Sequence, residues 1–393
     1  MNITLLRCPS PFLIDEKVFP PLGLLTVGTA LKRQGCCVTV RDEVVPWSDW
    51  YGVGPTTAEY STAKKLLRAI KHDRPDAKVM IGGPHASTRP DKCLEDGFDV
   101  VAVGDGENLT VEMLTSGVIH LPELLLDSYP IIDRDLLDEG IHGYHYEING
   151  IPATSMITSR GCPYRCAFCS KYSTGVRFRS AGLVNDEITL LHEVFGFSAL
   201  MFYDDTFILR PQRVLEICKH LKTLGIVWRC FVRGDLIVKH GMDFVKLMAD
   251  SGCVEVAMGV ESGSDEILKA IHKGETVSDI RRATEWLDHY GIRVKGLFIV
   301  GLPGESWETL EDTTRLISEL PFSALDFTVF QPYAGSPIYE NKQDYDIDWD
   351  ELPWDESYFK SRPGEYHCHV RTSSLSSKEI ESARNKLELT GAL

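Results

Sequence analysis

The segment TSRGCPYRCAFCS, residues 158–170, decides how the rest of this 393-residue chain is interpreted. It places Cys162, Cys166 and Cys169 in a CxxxCxxC pattern directly after a predicted strand. Cysteine thiolates bind zinc and iron-sulfur clusters, and a structural zinc site usually closes with four ligands, commonly from two separated pairs. The chain has no second CxxC pair. The spacing therefore favours a 4Fe-4S cluster held at three irons, with the fourth iron open to a substrate or cofactor.

The alternative for this segment is a zinc ion completed by a distant ligand such as Cys368 or His369. The remaining cysteines are scattered and lie mostly in apolar segments, which is typical of small buried thiols. They are Cys8, Cys36, Cys37, Cys93, Cys218, Cys230, Cys253 and Cys368.

The charge of the chain argues against nucleic acid as a partner. Lys and Arg number 41 and Asp and Glu number 57, which gives a formal net charge of −16, whereas a phosphate backbone is normally bound by a basic patch. No uncharged apolar stretch approaches the ~18 residues that span a bilayer, so no membrane association is expected. The first residues do not have the pattern of a secretion signal, and eleven cysteines favour a reducing compartment, so we expect the cytoplasm.

Short apolar runs alternate with helical patterns along the whole chain, which predicts repeated βαβ units and parallel sheet. The predicted strands are residues 3–6, 38–40, 79–81, 100–103, 155–158, 199–203, 227–232, 254–260, 294–299 and 324–330. The predicted helices between them are residues 22–34, 56–72, 184–195, 211–224, 243–251, 277–290 and 307–320. The fold class is therefore α/β.

The alternation breaks where the sequence becomes richer in Pro, Gly and polar residues, and this predicts the domain boundaries. We expect a first domain at residues 1–125, a linker at 126–151, a second domain at 152–340 and a C-terminal extension at 341–393. The extension is acidic and aromatic and either covers a substrate or packs against the second domain. Its candidate residues are Trp349, Trp354, Tyr358, Phe359, Tyr366, His367, Cys368 and His369.

Polar residues follow four predicted strands of the second domain. Asp204 and Asp205 end MFYDD, Arg233 ends FVR, Glu261 and Ser262 end VAMGVES, and GLFIVGLPGES ends in Gly301 and Glu305. Each alone could be a helix cap or a turn residue. Because the carboxyl ends of parallel strands meet at one mouth, however, the four together predict a ligand site there.

The first domain carries glycine-bearing turns after its strands. PPLGLL contains Leu22 and Gly23, and YGVGPTTAEY contains Thr56. GGPHA contains Gly82, Gly83 and His85, and GDGE contains Gly104, Asp105, Gly106 and Glu107. Such turns are ordinary βα connections, but glycine there also lets a flat or bulky cofactor approach the backbone.

The cysteine segment resembles the signature of the radical S-adenosylmethionine (SAM) enzymes. The resemblance implies that Cys162, Cys166 and Cys169 hold the cluster and that Phe168 lies by the adenine of SAM. It also implies that Asp204 and Arg233 meet the methionine amino and carboxylate groups, that Glu261 and Ser262 meet the methionine or ribose, and that backbone from Gly296 to Gly301 meets the adenine. In this family the bound SAM is cleaved by an electron from the cluster, and the fold is a partial (β/α)6 barrel.

The turns of the first domain resemble those of the cobalamin-binding domain in cobalamin-dependent radical SAM enzymes, a doubly wound Rossmann-like sheet. The resemblance covers roughly residues 1–340 and implies cobalamin contacts from Leu22, Gly23, Thr56, Gly82, Gly83, His85, Gly104, Asp105, Gly106 and Glu107. Two features depart from the pattern: GDGE stands where GEGE is common, and no DxHxxG motif supplies a histidine below cobalt. His85 is the nearest candidate for that position, although this loop in the family seldom ligates cobalt.

The resemblance implies methyl transfer to an unactivated carbon of a small molecule or natural-product intermediate, through a 5′-deoxyadenosyl radical and methylcobalamin. The alternatives are oxidation, cyclisation or ring rearrangement with cobalamin but without methyl transfer, and a radical SAM enzyme whose first domain has lost cobalamin. The implied partners are a small-molecule substrate and a reductant of flavodoxin or ferredoxin type. A binding module without catalysis is a further alternative, in which the strand-end acids would be dispensable.

Overall fold

The computed structural model describes residues 1–11, 13, 15–170, 175–350 and 367–390. These residues form two compact units. The first unit contains Met1–Tyr146, and the second contains the described residues from Glu147 onward.

The first unit is built on a six-stranded parallel sheet. Its strands are β1 (Asn2–Leu6), β2 (Cys37–Arg41), β3 (Trp50–Val53), β4 (Lys78–Ile81), β5 (Val100–Val103) and β6 (Gly117–His120). Its helices are α1 (Leu22–Arg33), α2 (Tyr60–Asp73), α3 (Gly83–Thr88) and α4 (Pro90–Glu95). The strand order is β2-β1-β3-β4-β5-β6, so the chain changes direction across the sheet between β1 and β3. In doubly wound sheets the carboxyl ends of the strands at such a switch point form a ligand crevice.

Strand β3 lies in the middle of this sheet although the sequence does not predict it. All four of its residues are buried. Gly52 is packed so closely that a Cβ there would lie 2.6 Å from Leu5 Cδ2 and 2.8 Å from Met80 Cε. A four-residue strand interrupted by glycine has almost no periodic signal, and the neighbouring side chains replace the one that glycine lacks.

Residues 126–146, predicted to begin a linker, belong to the first unit instead. The Arg134 side chain is buried, and Leu137 forms an isolated parallel bridge with Val40 of β2. The backbone N–H of Asp133 donates to Thr29 Oγ1 of α1 at 2.9 Å. The segment runs along the edge of the sheet as short 3₁₀ turns, and this is why its composition is polar. Its few apolar residues are buried there.

The second unit is built on a seven-stranded sheet in the order β15-β14-β13-β12-β11-β8-β7. The strands of the second unit, including four outside this sheet, are β7 (Glu147–Ile148), β8 (Ile151–Met156), β9 (Ser159–Arg160), β10 (Arg177–Phe178), β11 (Ala199–Phe202), β12 (Val227–Val232), β13 (Cys253–Glu261), β14 (Arg293–Val300), β15 (Phe322–Val329), β16 (Asp348–Trp349) and β17 (Val370–Arg371). Its helices are α5 (Ala181–Glu193), α6 (Pro211–Leu224), α7 (Gly234–His240), α8 (Met242–Asp250), α9 (Asp265–Ala270), α10 (Val277–His289), α11 (Trp307–Glu319), α12 (Pro337–Glu340) and α13 (Ser377–Thr390).

Six strands of this sheet, β8 and β11 to β15, are parallel, and β7 pairs antiparallel at the edge. Helices separate successive parallel strands, so the predicted six-fold β/α arrangement is confirmed. The carboxyl ends of the six parallel strands therefore lie at one edge, as the strand-end residues of the sequence require.

The C-terminal extension contributes to the core of the second unit. Helix α13 contains the buried residues Ile380 and Arg384, and Arg384 Nε donates to Phe327 O of β15 at 3.0 Å. Trp349 lies in β16 and stacks on Tyr339 with 6.3 Å between ring centroids. Trp354, Tyr358, Phe359 and Tyr366, which the sequence also offers as a substrate cover, lie outside the described residues.

None of the helices within the described ranges is long and apolar enough to cross a bilayer.

Candidate functional site

A cavity of about 260 Å³ opens at the carboxyl ends of the parallel strands in the second unit. The three cysteines of the CxxxCxxC segment line it together with Phe168. Strand-end residues also line it, among them Asp205, Arg233 and Glu261. The structure thus brings together six of the residues that the sequence predicts for cluster and SAM.

The cysteine loop is held from several directions by backbone hydrogen bonds. Ala167 lies between Cys166 and Phe168 and is fully buried. Its N–H donates to Ile271 O at 2.8 Å, and its carbonyl accepts from Ile338 N at 3.0 Å. Ser170 Oγ donates to Ala334 O at 2.5 Å. These bonds fix the loop that carries the three thiols.

Asp204 holds the start of the same loop. Its carboxylate is buried and accepts from Thr158 N at 2.6 Å, from Thr158 Oγ1 at 2.5 Å and from Ser159 Oγ at 2.7 Å. The sequence assigns Asp204 to SAM, but its oxygens are occupied in this way and it does not line the cavity, whereas Asp205 does. Burial raises the pKa of Asp205, and the charge of Asp204 adds to that rise.

The CxxxCxxC segment presents three thiols to one cavity, the three-cysteine set that the sequence predicts for an iron-sulfur cluster. None of the three forms a disulfide, and all three line the cavity. Burial raises the pKa of the Cys166 thiol, and the charges of Lys273 and Arg233 oppose that rise and so favour the thiolate.

Arg233 is held on every side at the end of β12. Its Nε donates to Asp235 Oδ1 at 2.9 Å, and its Nη2 donates to Lys273 O at 2.8 Å. Its Nη1 donates to Cys166 Sγ at 3.8 Å, and its Cζ lies 3.6 Å from the centre of the Tyr164 ring. Three of the five guanidinium N–H groups are engaged in these bonds, so the side chain is held in one orientation at the cavity wall.

Lys273 is a cavity residue that the sequence does not predict. Its side chain is 4% exposed, and Nζ lies 2.8 Å from Glu261 Oε1 and 3.8 Å from Glu275 Oε2. Burial acts to lower the pKa of Lys273, but Glu261 and Glu275 outweigh it and raise the pKa, so the ammonium stays charged. In the sequence, HKGE has the pattern of a solvated turn, and no periodicity marks the lysine as buried.

Glu261 has an unusual backbone conformation at the cavity. Its φ of 64° lies in the left-handed region, which is uncommon for a residue other than glycine, and the pairing of β13 with β14 shifts register beside it. Glu261 Oε1 and Lys273 Nζ lie against Gly259, where an added Cβ would be 2.5 Å and 3.0 Å from them. Glycine at 259 therefore leaves room for the ion pair at the cavity wall.

Three further residues predicted for SAM do not line this cavity. Ser262 is buried and accepts from Ser264 N at 3.2 Å. Gly296 faces the rings of Phe298 and Phe322, and the next residue of β14, Leu297, lines the cavity because successive side chains alternate in direction. Gly301 has a φ of 92° and lies against α13, where a Cβ would be 2.9 Å from Ile380 Cγ2.

Glu305 is buried beside Gly301 and accepts from its N–H at 2.5 Å. Burial raises the pKa of Glu305 to about 8, and that hydrogen bond opposes the rise. The folded protein therefore binds this proton more tightly than the unfolded chain, so its stabilising contribution is full below the unfolded pKa and is lost as pH rises through about 8.

Replacement of Glu305 with glutamine keeps an acceptor for Gly301 N–H and removes the titration. Between pH 5 and 8 we expect the free energy of unfolding of the parent to fall, relative to that of E305Q, by up to about 1.4 kcal/mol for each pH unit. The thermal midpoint of E305Q should therefore exceed that of the parent by a margin that grows with pH. The exposed neighbour Glu308 provides the control, because E308Q is expected to follow the pH profile of the parent. Parallel profiles for E305Q and the parent would contradict the burial argument.

In the first unit, the loops after four strands lie at one edge of the sheet. Leu22 and Gly23 begin α1 after β1, and Thr56 follows β3 and caps a short 3₁₀ turn through Glu59. Gly82 and Gly83 follow β4, and Gly104 to Glu107 follow β5. These loops contact one another, since a Cβ on Gly83 would be 3.3 Å from Gly54 C and one on Gly106 would be 2.5 Å from Val27 Cγ2.

The glycines of this edge are already required by the chain itself. Gly104 has a φ of 100°, and a Cβ there would be 2.6 Å from Leu121 O. Asp105 is buried and accepts from Tyr129 OH at 2.9 Å. The loops therefore stand at the place that a doubly wound sheet offers to a cofactor, and no larger side chain at Gly104 or Gly106 intrudes on it.

His85 lies inside the first unit rather than at its surface. Its ring stacks on Tyr60 with 3.8 Å between centroids, and Nδ1 lies 3.2 Å from Thr57 Oγ1. Nε2 is buried and has no hydrogen-bond partner among the described residues. Burial, with a smaller effect of Arg89, lowers the pKa of His85 to about 4, so the ring is neutral at physiological pH.

Comparison with known proteins assigns both units. Residues 156–317 match the profile of the radical SAM superfamily, and residues 16–114 match the profile of the B12 binding domain. An uncharacterized methyltransferase, PH0819 of Pyrococcus horikoshii, is 30% identical over 322 residues, which are 74% of this chain and 69% of that protein. The anaerobic magnesium-protoporphyrin IX monomethyl ester cyclase of Rubrivivax gelatinosus is 24% identical over 337 residues, which are 78% of this chain and 60% of the cyclase.

The fold has a counterpart among solved structures. The radical S-adenosylmethionine methyltransferase TsrM from Kitasatospora setae, with cobalamin and a [4Fe-4S] cluster bound, superimposes with a TM-score of 0.69 at 18% identity. The superposition covers 90% of this chain and 81% of TsrM. The two units are thus a cobalamin-binding domain followed by a radical SAM domain. The chain belongs to the cobalamin-dependent radical SAM enzymes, and its cofactors are a 4Fe-4S cluster, SAM and cobalamin.

Proposed function

We propose that this enzyme transfers a methyl group to an unactivated carbon of a small molecule or natural-product intermediate. The observation that carries the proposal is the cavity lined by the three cysteines and by the Glu261–Lys273 ion pair. The methyltransferase names of PH0819 and TsrM support the choice of reaction. The bound cofactors supply the electron, the radical and the methyl carrier.

Within the cavity, we assign Cys162, Cys166 and Cys169 to the cluster. The Glu261–Lys273 pair presents a carboxylate beside an ammonium, which is complementary to the amino and carboxylate groups of the methionine part of SAM. Phe168 offers an aromatic face to the adenine. Asp205 replaces Asp204 as the strand-end acid that faces the ligand.

In the first unit, we assign the cobalamin site to the loop edge formed after β1, β3, β4 and β5. Because Gly83, Gly104 and Gly106 have no side chains, they leave space for a cofactor at this edge, and Asp105 is held in place by Tyr129. Leu22, Gly23, Thr56, Gly82 and Glu107 belong to the same edge. His85 stays packed on Tyr60, and its place in the core does not favour a role as a cobalt ligand.

The reaction is tested with the full chain, reconstituted anaerobically and supplied with cobalamin, a reductant and SAM labelled in its methyl group. The probe mixture is the small-molecule fraction of a cell extract. We expect S-adenosylhomocysteine and 5′-deoxyadenosine to form together and the label to enter a product. Formation of 5′-deoxyadenosine without S-adenosylhomocysteine would contradict methyl transfer.

Formation of 5′-deoxyadenosine without S-adenosylhomocysteine is the signature of the alternative reaction, an oxidation, cyclisation or ring rearrangement without methyl gain. The similarity to the cyclase of Rubrivivax gelatinosus favours it as the second candidate. The chain spans about three fifths of that cyclase, so its activity is not carried over as a whole. In either reaction we propose a reductant of flavodoxin or ferredoxin type as partner and the cytoplasm as location.

Lys273 gives a direct test of the SAM assignment. Its replacement with glutamine leaves the Glu261 carboxylate without its ion pair and removes the charge proposed to meet the carboxylate of SAM. A hydrogen bond to a charged group contributes about 1.5–3 kcal/mol, so we expect K273Q to weaken SAM binding by about 10- to 100-fold. Equilibrium binding of SAM to the reconstituted full chain measures the effect.

The matched control is Lys295 of β14, whose Nζ lies 3.2 Å from Asp326 Oδ2 and which does not line the cavity. K295Q is expected to bind SAM as the parent does. K273R keeps the positive charge and is expected to lose less affinity than K273Q. Unchanged affinity in K273Q with a full iron content would remove Lys273 from the SAM site.

A further inference from the structure

We infer that Arg233 is a positioning residue that raises the reduction potential of the cluster through the Cys166 sulfur. The inference rests on the proposed function in one respect, the assignment of Cys162, Cys166 and Cys169 as cluster ligands. The sequence resemblance implies a SAM contact for Arg233, and the geometry points to a further role at the cluster.

The guanidinium of Arg233 is fixed in one orientation. Its side chain is 6% exposed, and Asp235 and the carbonyl of Lys273 accept from its Nε and Nη2. Its Cζ lies over the Tyr164 ring, 3.6 Å from the ring centre. A planar fork held in this way is preorganised to keep its remaining nitrogen, Nη1, directed at one acceptor. That acceptor is Cys166 Sγ, at 3.8 Å.

Hydrogen bonds to the coordinating sulfurs, net charge and solvent exposure set the potential of an iron-sulfur cluster. Reduction adds one electron from an external reductant to the cluster, and no bond to carbon and no proton transfer is involved. The added negative charge is stabilised by a nearby cation, and more strongly where water is excluded. Arg233 is buried and in contact with a ligand sulfur, so it favours the reduced cluster.

The carboxylate of Glu275 is expected to lower the reduction potential of the cluster, which is opposite to the effect of Arg233. Its side chain is fully buried, and Oε2 lies 3.7 Å from Arg233 Nη2 and 3.8 Å from Lys273 Nζ. Oε1 accepts from Asp235 N at 3.1 Å. The carboxylate offsets part of the positive charge near Cys166. Removing the charge of Glu275 should therefore raise the potential that removing the charge of Arg233 lowers.

The experiment is a redox titration of the full chain, reconstituted anaerobically without SAM, in which electron paramagnetic resonance measures the reduced cluster. The reductant is titanium(III) citrate. At the potential that reduces half of the parent protein, we expect R233Q to show at least a tenfold lower ratio of reduced to oxidised cluster, which is a shift of about 59 mV for one electron. R233K keeps the charge but loses the planar fork, so a smaller fall is expected. E275Q is expected to shift the potential upward.

The control is R229Q on the same strand, β12. Arg229 forms an ion pair with Glu255 at 3.0 Å and does not line the cavity, so its loss should leave the potential unchanged. If R233Q fails to assemble a cluster, R233K and E275Q decide the matter, because shifts of opposite sign support the inference and wild-type potentials in both overturn it.

Two other outcomes separate this inference from the proposed function. R233Q and E275Q with full iron content and parent potentials would overturn the inference while leaving the cluster assignment intact. Weaker SAM binding in R233Q at an unchanged potential would assign Arg233 to SAM and would likewise overturn it. A parent protein that binds no iron at the three cysteines would contradict the proposed function itself.

Discussion

Replacement of Cys166 with alanine is expected to abolish the iron-sulfur cluster and, with it, all cleavage of SAM. The cluster is held by cysteine thiolates, and the cavity offers three of them. Cys166 is the most buried of the three and is the one contacted by Arg233. With two thiols left, iron should fall to background in a protein that remains folded. Iron and sulfide analysis, the visible absorption spectrum and the yield of 5′-deoxyadenosine measure the loss.

The matched control is Cys253 of the same unit, which begins β13 and contacts Glu255 O through its Sγ at 3.7 Å. Cys253 is buried, so C253A is expected to cost about 1 kcal/mol of stability through the lost contact. Its iron content should equal that of the parent. A C166A protein that retains a full cluster, or a C253A protein that loses it, would show that the cysteine assignment is wrong.

Replacement of Asp204 with alanine is expected to have the second-largest effect. The effect is a loss of stability, because Asp204 holds the start of the cysteine loop and does not line the cavity. D204A leaves the Thr158 N–H, the Thr158 hydroxyl and the Ser159 hydroxyl buried without their acceptor. An unsatisfied buried donor costs about 1–3 kcal/mol, and some of that cost is recovered when water enters, so we expect a total loss of about 3–5 kcal/mol. For a unit of this size that is a fall on the order of 10 °C in the thermal midpoint.

Asparagine at 204 separates the loss of the hydrogen bonds from the loss of the charge. Asn can still accept from Thr158 N–H and can donate to the two hydroxyls, so D204N should retain most of the stability and of the cluster. D205A removes the neighbouring acid that lines the cavity, and it should change the thermal midpoint by far less than D204A. Equal midpoints for D204A and D205A would contradict the anchoring role of Asp204. Differential scanning fluorimetry of the full chain, combined with iron analysis, provides both readouts.

The fold could be predicted from the sequence wherever an apolar run stood between clear turns. Strands β5 and β12 have the predicted bounds, β11 is one residue shorter than predicted at its C-terminal end, and β13 and β14 are one residue longer at each end. Strand β3 was missed because its four residues include Gly52 and have no alternation. The polar segment at 126–146 was interpreted as a linker, since the burial of Arg134 and Leu137 depends on contacts with α1 and β2 that composition does not reveal.

The sequence predicts most of the residues that line the cavity, but it does not predict the role of each residue. Three cysteines, Phe168 and the strand-end residues Arg233 and Glu261 do line it, because parallel strands end at a common edge. Asp204 and Asp205 are adjacent and chemically alike, and only the position of Thr158 shows which of them is engaged by the loop. Lys273 was missed because its burial depends on Glu261 and Glu275, and the alternating charges of HKGE resemble an exposed turn.

The hydrogen bonds that hold the cysteine loop have a consequence for the order in which the enzyme is built. The loop leaves a ribosome early, but its partners come from much later segments: Ile271, Ile338 and Ala334, the last of these 164 residues after Ser170. Contacts between distant segments form late because the intervening chain must first be ordered. During synthesis the three thiols are therefore exposed and unsupported until α12 has emerged, and iron delivered before that point meets no finished site. Cluster insertion should accordingly be a step that follows the folding of the barrel.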